Sequence, residues 1–460
     1  MNKLRMALLL TILLSLSVGL FAGGFALSGI GSRAQSMGGA FRGMSDDPSS
    51  IYWNPAGMAY LDGSQISLAG SVFYPTSMWE NTAALPGYGN DELTAVKKLR
   101  AFPGFFGIMN KHPESVFGLG IFVPYGLGAT WDAYDLPTGG MPGTPPGSTL
   151  TWSDGFPEEE MLSSIAILDF RPSIAYKFND MFSLGAGFSV LYGMIDLAKV
   201  VPSATSSYFA PTTFDMSGSG MGFGGNIGLM IKPTECLSIG LTGKLPVNMK
   251  LQGDADIRLW LNQYANFSVW GGNNPAFLVP ATYGGESPIE ATLKLPGEAA
   301  LGLSYKVKPN WAVNLDYSYT MWNRLDVVTV EMEDPIVILQ GHPTMQQTIT
   351  ERDLPFNWED THRVSLGTEY LLGDNAIRAG FFFDQSPVPE ETFIPTLPDI
   401  NNKFSSNLGF GRNFGNWTLD LNYQFVMFPE RKIETQTADN MVGIYNSHVH
   451  SGNIGISYKF

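Results

Sequence analysis

The sequence predicts an all-β protein: a transmembrane antiparallel β-barrel of about 14 strands with an N-terminal hatch plugging the lumen. Apolar and polar residues alternate with period two along much of the chain. Short turns alternate with long Pro/Gly-rich connections, and residues 23–63 form a Gly-rich stretch without strand periodicity. We therefore expect a signal peptide at 1–22, the hatch at 23–63 and the barrel at 64–460.

The first 22 residues have the pattern of a secretory signal peptide. Lys3 and Arg5 precede an apolar core from Met6 to Leu20, and Ala22 fits the position before cleavage. This core is short for a membrane-spanning helix, and no later stretch has about 18 uninterrupted apolar residues. We therefore expect export, cleavage after Ala22 and no transmembrane helix.

The amino-acid composition limits which partners the chain can bind and how its fold can be stabilised. The net charge of -15 leaves no basic face for nucleic acid. The single cysteine, Cys236, cannot form an internal disulfide, so closure of the sheet must stabilise an exported chain. Acidic runs at Glu158–Glu160 and Glu331–Asp334 indicate solvated loops or, as a sharper alternative, divalent-cation contact with lipopolysaccharide.

The end of the chain shows the clearest alternation. Along Asn453–Phe460, Ile and aromatic residues alternate with small or polar ones, which is the period of a strand with two different faces. Because every backbone group must be paired in hydrocarbon, only a closed sheet can present such strands to lipid. A soluble sandwich or β-helix would also alternate, but the signal peptide and aromatic strand ends favour the barrel. The same period recurs at Phe182–Tyr192, Leu237–Thr242, Trp311–Tyr319 and Trp417–Met427.

The predicted third strand, Val116–Trp131, contains an irregularity. Proline cannot donate to a β-ladder and glycine supplies no packing side chain, so their presence in mid-strand indicates a bulge or kink. The alternative is an ordinary bend of the barrel without an opening. The kink residues are Pro124, Tyr125, Gly126 and Gly128.

The hatch stretch carries helix-start signals at Ser45–Pro48 and at Asn54–Pro55, where a capping side chain precedes proline. Its many small residues would allow close approach to surrounding walls. We expect Asn54, Pro55 and Ala56 to fix the hatch against the wall beside the kink, so that the two irregular stretches form one gate.

Several of these stretches resemble the FadL/TodX family of outer-membrane transporters of hydrophobic compounds. Gly29–Ala34, Met37–Ala40, Asp46–Pro48 and Asn54–Ala56 are similar to the N-terminal hatch of that family. Further similarities to its strands and loops lie at Trp358–Gly367, Ile377–Gly380, Ser386–Pro389 and Thr396–Asp399. Asn402 and Lys403 stand where the family usually has an arginine.

The resemblance implies a 14-stranded plugged barrel in the outer membrane of a Gram-negative bacterium. It implies passive uptake of long-chain fatty acids or other hydrophobic molecules, including aromatic hydrocarbons. The family picture includes hatch movement and lateral exit at a kinked third strand. We expect no enzyme activity and no cofactor, contact with outer-membrane lipid, and a monomer. The alternative function is a non-transport surface barrel, either an adhesin or a structural outer-membrane protein.

Two sets of residues could serve transport, and strand parity assigns both to the lumen. For each set the alternative role is structural: packing against the hatch, or ion pairs between wall and hatch. The candidate substrate pocket consists of Phe122, Leu191, Met230, Trp322 and Phe382. The candidate carboxylate partners are Arg171, Arg324, Arg363 and Arg378.

No sequence motif predicts a catalytic or metal-binding site. No G-x-S-x-G nucleophile elbow occurs. The glycine pattern from Gly220 to Gly225 lies in an alternating strand with no helix after it, so it is not a dinucleotide site. His448 and His450 are predicted to be solvated at the outer rim. We therefore expect no catalytic and no metal-binding residues.

Overall fold

The computed structural model describes residues 23–82, 92–110, 114–132, 160–201, 210–262, 270, 281–342, 344–397, 399–435, 437 and 440–460. The predicted signal peptide lies outside this range. Among the described residues, no helix has the length and apolar character needed to cross a membrane. The helical elements are α1 (Ser32–Ser36), α2 (Ser50–Trp53) and two 3-10 turns, Pro55–Tyr60 and Trp322–Arg324.

Strands make up most of the described chain, and all pair antiparallel in one sheet. They are β1 (Gln65–Asn81), β2 (Glu92–Thr94), β3 (Arg100–Asn110), β4 (Ser115–Trp131), β5 (Met161–Lys177), β6 (Phe182–Val201), β7 (Thr212–Ile231), β8 (Leu237–Lys244), β9 (Val247–Leu261), β10 (Ala281–Leu295), β11 (Glu298–Lys308), β12 (Trp311–Thr320), β13 (Val327–Ile338), β14 (Gln347–Pro355), β15 (Thr361–Leu372), β16 (Asn375–Asp384), β17 (Lys403–Phe414), β18 (Trp417–Ile433) and β19 (Gly443–Lys459).

The sheet closes into a barrel of fourteen spans, a span being one complete crossing of the wall. Five spans consist of two segments each, namely β2 with β3, β8 with β9, β10 with β11, β12 with β13, and β14 with β15. Closure comes from β1 and β19, which pair from Gln65 opposite Lys459 to Asn81 opposite Gly443. The predicted fold class and strand number are confirmed.

The wall has an apolar outer face and a mainly polar inner one, as the alternation predicts. Leu408, Phe223 and Ile227 point outward and are 60–65% exposed, which suits contact with lipid. Asn407 and Gln424, on the inner face of neighbouring strands, are buried and hydrogen-bonded to each other. The inner face becomes apolar towards the end of the barrel that carries the long connections.

Residues 23–64 precede β1 and lie inside the barrel, packed against its wall. Wall glycines permit this close packing. A Cβ on Gly185 would lie 2.3 Å from the carbonyl carbon of Pro55, and one on Gly380 would lie 2.1 Å from that of Met37. Both distances are shorter than any side chain tolerates, so these wall positions require glycine.

Candidate functional site

The kink in the third span separates β4 from its neighbour β3. β4 pairs in register with β5 except for a bulge between Phe122 and Tyr125. Phe122 lies opposite Asp169 of β5, and Tyr125 lies opposite Ile167. On its other side, β4 pairs with β3 only as far as Ile121. Among the described residues, the rest of β4 has no ladder with β3. The next backbone contact on this side joins the amide of Val96 to the carbonyl of Thr130 at 2.8 Å, so the wall between β3 and β4 is open from Ile121 to Thr130.

The first residues of the hatch take the place of β3 as a partner of β4. Ala26 and Tyr125 face each other in an antiparallel bridge. The amide of Leu27 donates to the carbonyl of Pro124 at 2.9 Å, and the amide of Gly126 donates to the carbonyl of Phe25 at 2.8 Å. The hatch therefore satisfies backbone groups that the kink would leave unpaired.

Asn54, Pro55 and Ala56 lie elsewhere than expected. The side-chain amide of Asn54 donates to the carbonyls of Arg42 and Leu229, at 3.1 and 3.3 Å, and the Ser183 hydroxyl donates to the Ala56 carbonyl at 2.9 Å. This stretch is thus fixed against β6 and β7, while Phe25–Leu27 contact the kink. Phe25, Ala26 and Leu27 are apolar and form no recognisable motif. The sequence therefore favours the more distinctive Asn54–Ala56 as the segment that meets the kink.

Carboxylates from the β16–β17 region hold the start of the hatch. The amide of Gly23 donates to Oδ2 of Asp384 at 3.0 Å, and that of Gly24 donates to Oδ2 of Asp399 at 2.5 Å. Asp399 also lies 3.0 Å from Nζ of Lys403, and both side chains are fully buried. Burial raises the pKa of the Asp399 carboxyl to about 6, against the opposing attraction of Lys403.

A second anchor lies deeper in the hatch, at Asp316 on β12. Its Oδ2 accepts the amides of Phe41 and Arg42, at 3.1 and 2.9 Å. The guanidinium of Arg42 also lies 3.4 Å from Asp316 and 2.7 Å from Glu298. One buried wall carboxylate therefore fixes both the backbone and the side chain of the hatch.

We expect Asp316→Ala to loosen the hatch while the barrel stays closed. The change leaves two buried amides unpaired and removes one partner of Arg42, a loss of about 3–5 kcal/mol in hatch docking. Limited proteolysis of the purified protein should then cleave within residues 23–64. The control is Asp360→Ala, because Asp360 bonds only the wall groups Tyr319 and Asn323 in the described structure. Equal resistance of the Asp316 variant and wild type would contradict the assignment.

A polar chamber lies between the hatch and the wall beside the kink. Pro124 and Tyr125 of the kink border it, together with Ala26 and Leu27 of the hatch. Its ionisable lining includes four cationic side chains and two carboxylates, and two carboxylates outside the lining, Asp169 and Asp316, pair with Arg171 and Arg42. The ionisable lining residues are Arg42, Arg171, Lys244, Arg363, Glu298 and Asp384.

An apolar cavity lies on the other side of Phe25, towards the long connections. Its empty space measures about 650 Å³, including the part that opens outward. The Phe25 ring lies 5.0 Å from that of Trp322 and 5.8 Å from that of Tyr125, both of which border the polar chamber. Phe25 thus stands between the two spaces. The cavity lining includes Phe25, Met216, Leu251, Leu293, Val328 and Phe356.

Comparison with known proteins settles the family. Residues 13–460 match the family described as outer membrane protein transport protein (OMPP1/FadL/TodX). The chain belongs to this family. A curated relative, the long-chain fatty acid transport protein of Salmonella typhi, is 25% identical over 394 residues, covering 82% of this chain and 79% of the relative.

Solved structures of family members share the fold. A Pseudomonas aeruginosa FadL homologue aligns with a TM-score of 0.73 at 18% identity, covering 95% of this chain and 100% of its own. The Pseudomonas putida toluene transporter TodX aligns with a TM-score of 0.69 at 17% identity, covering 94% and 99%. The predicted family is confirmed. The family consists of outer-membrane transport proteins, and the relatives named here are transporters of long-chain fatty acids and of toluene rather than enzymes.

Two of the four arginines proposed as carboxylate partners border the polar chamber. Arg171 pairs with Asp169 and donates from Nε to the Ser189 hydroxyl, while its Nη1 is buried without a hydrogen-bond partner among the described residues. Nη2 of Arg363 donates to the carbonyls of Ser28 and Gly38, and its Nη1 lies 3.9 Å from Asp384.

The other two arginines lie outside the chamber. Arg378 is occupied by Glu369 and Asp420, at 2.6 and 2.5 Å, in an ion network on the side of the short turns. Arg324 donates to Asn248, whose neighbours in β9 are buried while it is exposed, so this arginine lies on the outer face. Parity fails at Arg324 because the chain leaves the strand for a 3-10 turn.

The five proposed pocket residues are all buried, but none lines the apolar cavity. Trp322 borders the polar chamber, and Phe122 packs against Tyr52 of the hatch at 5.3 Å. The guanidinium of Arg363 lies 4.1 Å from the Phe382 ring. Leu191 belongs to the large apolar cluster of the lumen, and the sulfur of Met230 accepts the Ser238 hydroxyl.

One sequence signal could have located the cavity. Along the span formed by β10 and β11, the inward residues Ile289, Leu293 and Leu295 are followed, towards the short turns, by Glu298, Gly302 and Ser304. An apolar inner face at the outer end of a barrel marks a lumen that holds hydrocarbon rather than water. No group of three or more His, Cys, Asp or Glu side chains in the described part of the chain could hold a metal ion.

Proposed function

We propose that this protein is an outer-membrane channel for passive uptake of long-chain fatty acids or other hydrophobic molecules. The ligand enters the apolar cavity, passes Phe25 when the hatch start moves, and leaves sideways between β3 and β4. The observation that carries the proposal is the backbone pairing of Phe25–Leu27 with the kink, directly beside that cavity. The names of the relatives, a long-chain fatty acid transport protein and a toluene transporter, support the same substrate class.

Processing of the exported chain fits this gate. We propose that residues 1–22 are a signal peptide cleaved after Ala22, that 23–63 is the hatch and that 64–460 is the barrel. Cleavage would turn the Gly23 amide into a charged α-amino group, 3.0 Å from the Asp384 carboxylate. A charged donor strengthens that contact, so the mature chain closes its gate more firmly than the precursor.

The arrangement of the two spaces suits an amphipathic carboxylate. A hydrocarbon chain would occupy the apolar cavity while its carboxylate reaches past Phe25 to the polar chamber. Arg171 offers the clearest partner, because it has a buried donor that no described protein group accepts. A hydrogen bond to a charged group of this kind contributes about 1.5–3 kcal/mol.

We expect Arg171→Gln to weaken binding of a long-chain fatty acid by roughly 10–100-fold and to leave binding of the matching fatty alcohol nearly unchanged. Isothermal titration of purified protein with each ligand gives the two dissociation constants. Arg378→Gln is the matched control, since that guanidinium pairs with Glu369 and Asp420 and lies outside the chamber. A parallel loss for acid and alcohol would show that Arg171 shapes the site without binding the carboxylate.

Uptake itself separates a channel from a non-transport surface barrel. The protein is expressed in cells that lack their own fatty-acid channel, and uptake of radiolabelled oleic acid is measured. Uptake well above that of cells carrying an empty vector is the expected result. Background uptake, with a folded barrel in the outer membrane, would favour the adhesin or structural alternative.

A further inference from the structure

Three cationic side chains gather on the outer face of the barrel around Asn248. Nη2 of Arg324 donates to the Asn248 side-chain oxygen at 3.1 Å. Lys294 lies directly opposite Asn248 on the neighbouring strand, and Lys250 lies two residues further along the same face. Such neighbours have Cβ atoms about 5–7 Å apart. None of the three cations has an ion-pair partner among the described residues, and Nε of Arg324 is buried without a hydrogen bond.

The cluster lies at the edge of the apolar belt. On one side, the outward residues Phe223 and Leu245 are 62% and 61% exposed. On the other side, β9 continues outward with Gln252 and Asp254, both exposed. The change from apolar to polar residues marks the level of lipid headgroups on the side of the long connections. Three unpaired cations at this level face the phosphate region of the outer leaflet.

An apolar groove lies on the outer wall, on the short-turn side of the cluster, and extends from the same three spans to β7 and β6. Its floor is formed by Gly243 and Ala299, which lie opposite each other on β8 and β11. Ile227, Leu301 and Tyr317 are among the residues that border it. Gly243 precedes Asn248 by five residues, and Ala299 follows Lys294 by five. At roughly 3.3 Å per residue, the groove begins about 16 Å from the cations.

We propose that the groove and the cation cluster together bind one lipopolysaccharide molecule, with an acyl chain against Gly243 and Ala299 and a lipid A phosphate at Lys250, Lys294 and Arg324. Small floor residues let the chain lie close to the wall. A phosphate supplies the acceptors that these donors lack, and Arg324 can bind it through two parallel hydrogen bonds. The site faces the membrane and not the lumen, so it is independent of transport.

Native mass spectrometry of the purified, detergent-solubilised protein titrated with lipid A tests the proposal. The combined variant K250Q/K294Q/R324Q is expected to bind lipid A at least about tenfold more weakly, the loss of one or more charge-assisted hydrogen bonds. Arg258→Gln is the matched control. Arg258 lies on the same outward face of β9 but is already paired with Asp256 and Glu286, at 2.7 and 3.1 Å. This control should bind lipid A like wild type.

Two further measurements test which parts of lipid A the site binds. Gly243→Leu should fill the groove and weaken lipid A binding; an added Cβ there meets its nearest atom at 3.6 Å, so the barrel accepts it. Dephosphorylated lipid A should bind weakly, and equally, to wild type and the combined variant. Wild-type affinity in the combined variant would overturn the proposal. So would equal affinity for phosphatidylglycerol, or displacement of lipid A by millimolar inorganic phosphate. Normal oleate uptake in all variants would confirm that the barrels are folded.

Discussion

Deleting Pro124 is expected to abolish uptake while leaving a closed barrel. Two residues, Val123 and Pro124, lie between Phe122 and Tyr125, where only one residue of β5 lies opposite. Removing one of them restores one-to-one pairing, and removing the proline also removes the residue that cannot donate. β4 can then continue beside β3 and close the opening. Uptake of oleic acid should fall more than about tenfold, because lipid-exposed backbone has to be paired and the wall then has no side exit.

The control keeps the number of residues and changes only the side chain. Pro124→Ala retains the extra residue, hence the bulge, and retains the carbonyl that accepts from Leu27. It should transport at nearly the wild-type rate. Heat-dependent mobility in gel electrophoresis checks that both barrels fold. A Pro124-deleted barrel that folds and transports normally would place the exit elsewhere.

Locking the hatch to the kink should have an equally large effect. The two hydrogen bonds that flank Ala26 and Tyr125 join their neighbours, so these residues form a non-hydrogen-bonded antiparallel pair. In such a pair the Cα atoms are about 4.5 Å apart, which is within the range of a disulfide. The variant A26C/Y125C, with Cys236→Ser to remove the native thiol, should therefore cross-link on oxidation. Oxidation should then stop uptake, because the start of the hatch can no longer leave β4.

Much of the architecture follows from the sequence, because period two and the placement of turns are local properties. The fourteen spans, the family and the irregularity around Pro124 could all be predicted. The hatch could be recognised because its glycines and its Asn54–Ala56 motif do not resemble a strand. The position of Asn54–Ala56 against β6 and β7 could not be predicted, because the local sequence does not determine which strands of the barrel the hatch contacts.

The parts of the site that were missed depend on contacts between distant residues. In the sequence, Phe25–Leu27 cannot be distinguished from the end of an ordinary apolar stretch. Their pairing with β4 becomes apparent only from the gap between β3 and β4. Parity predicts a lumen position for Arg324 only if the strand period continues through residues 322–324, which form a 3-10 turn. The anchors at Asp316 and Asp384 bond to hatch residues more than 270 positions away.

In the proposed transport path, the pairing of Phe25–Leu27 with the kink opens for a ligand to pass. The most direct measurement is the oleic acid uptake of cells carrying A26C/Y125C, before and after addition of a reductant. A cross-link between Ser77→Cys and Ser447→Cys, whose hydroxyl oxygens lie 2.9 Å apart in the wall, controls for oxidation itself. We predict background uptake in the oxidised hatch variant and recovery on reduction, with no such change in the control. Undiminished uptake by the fully cross-linked hatch variant would show that ligands pass without opening of this pairing.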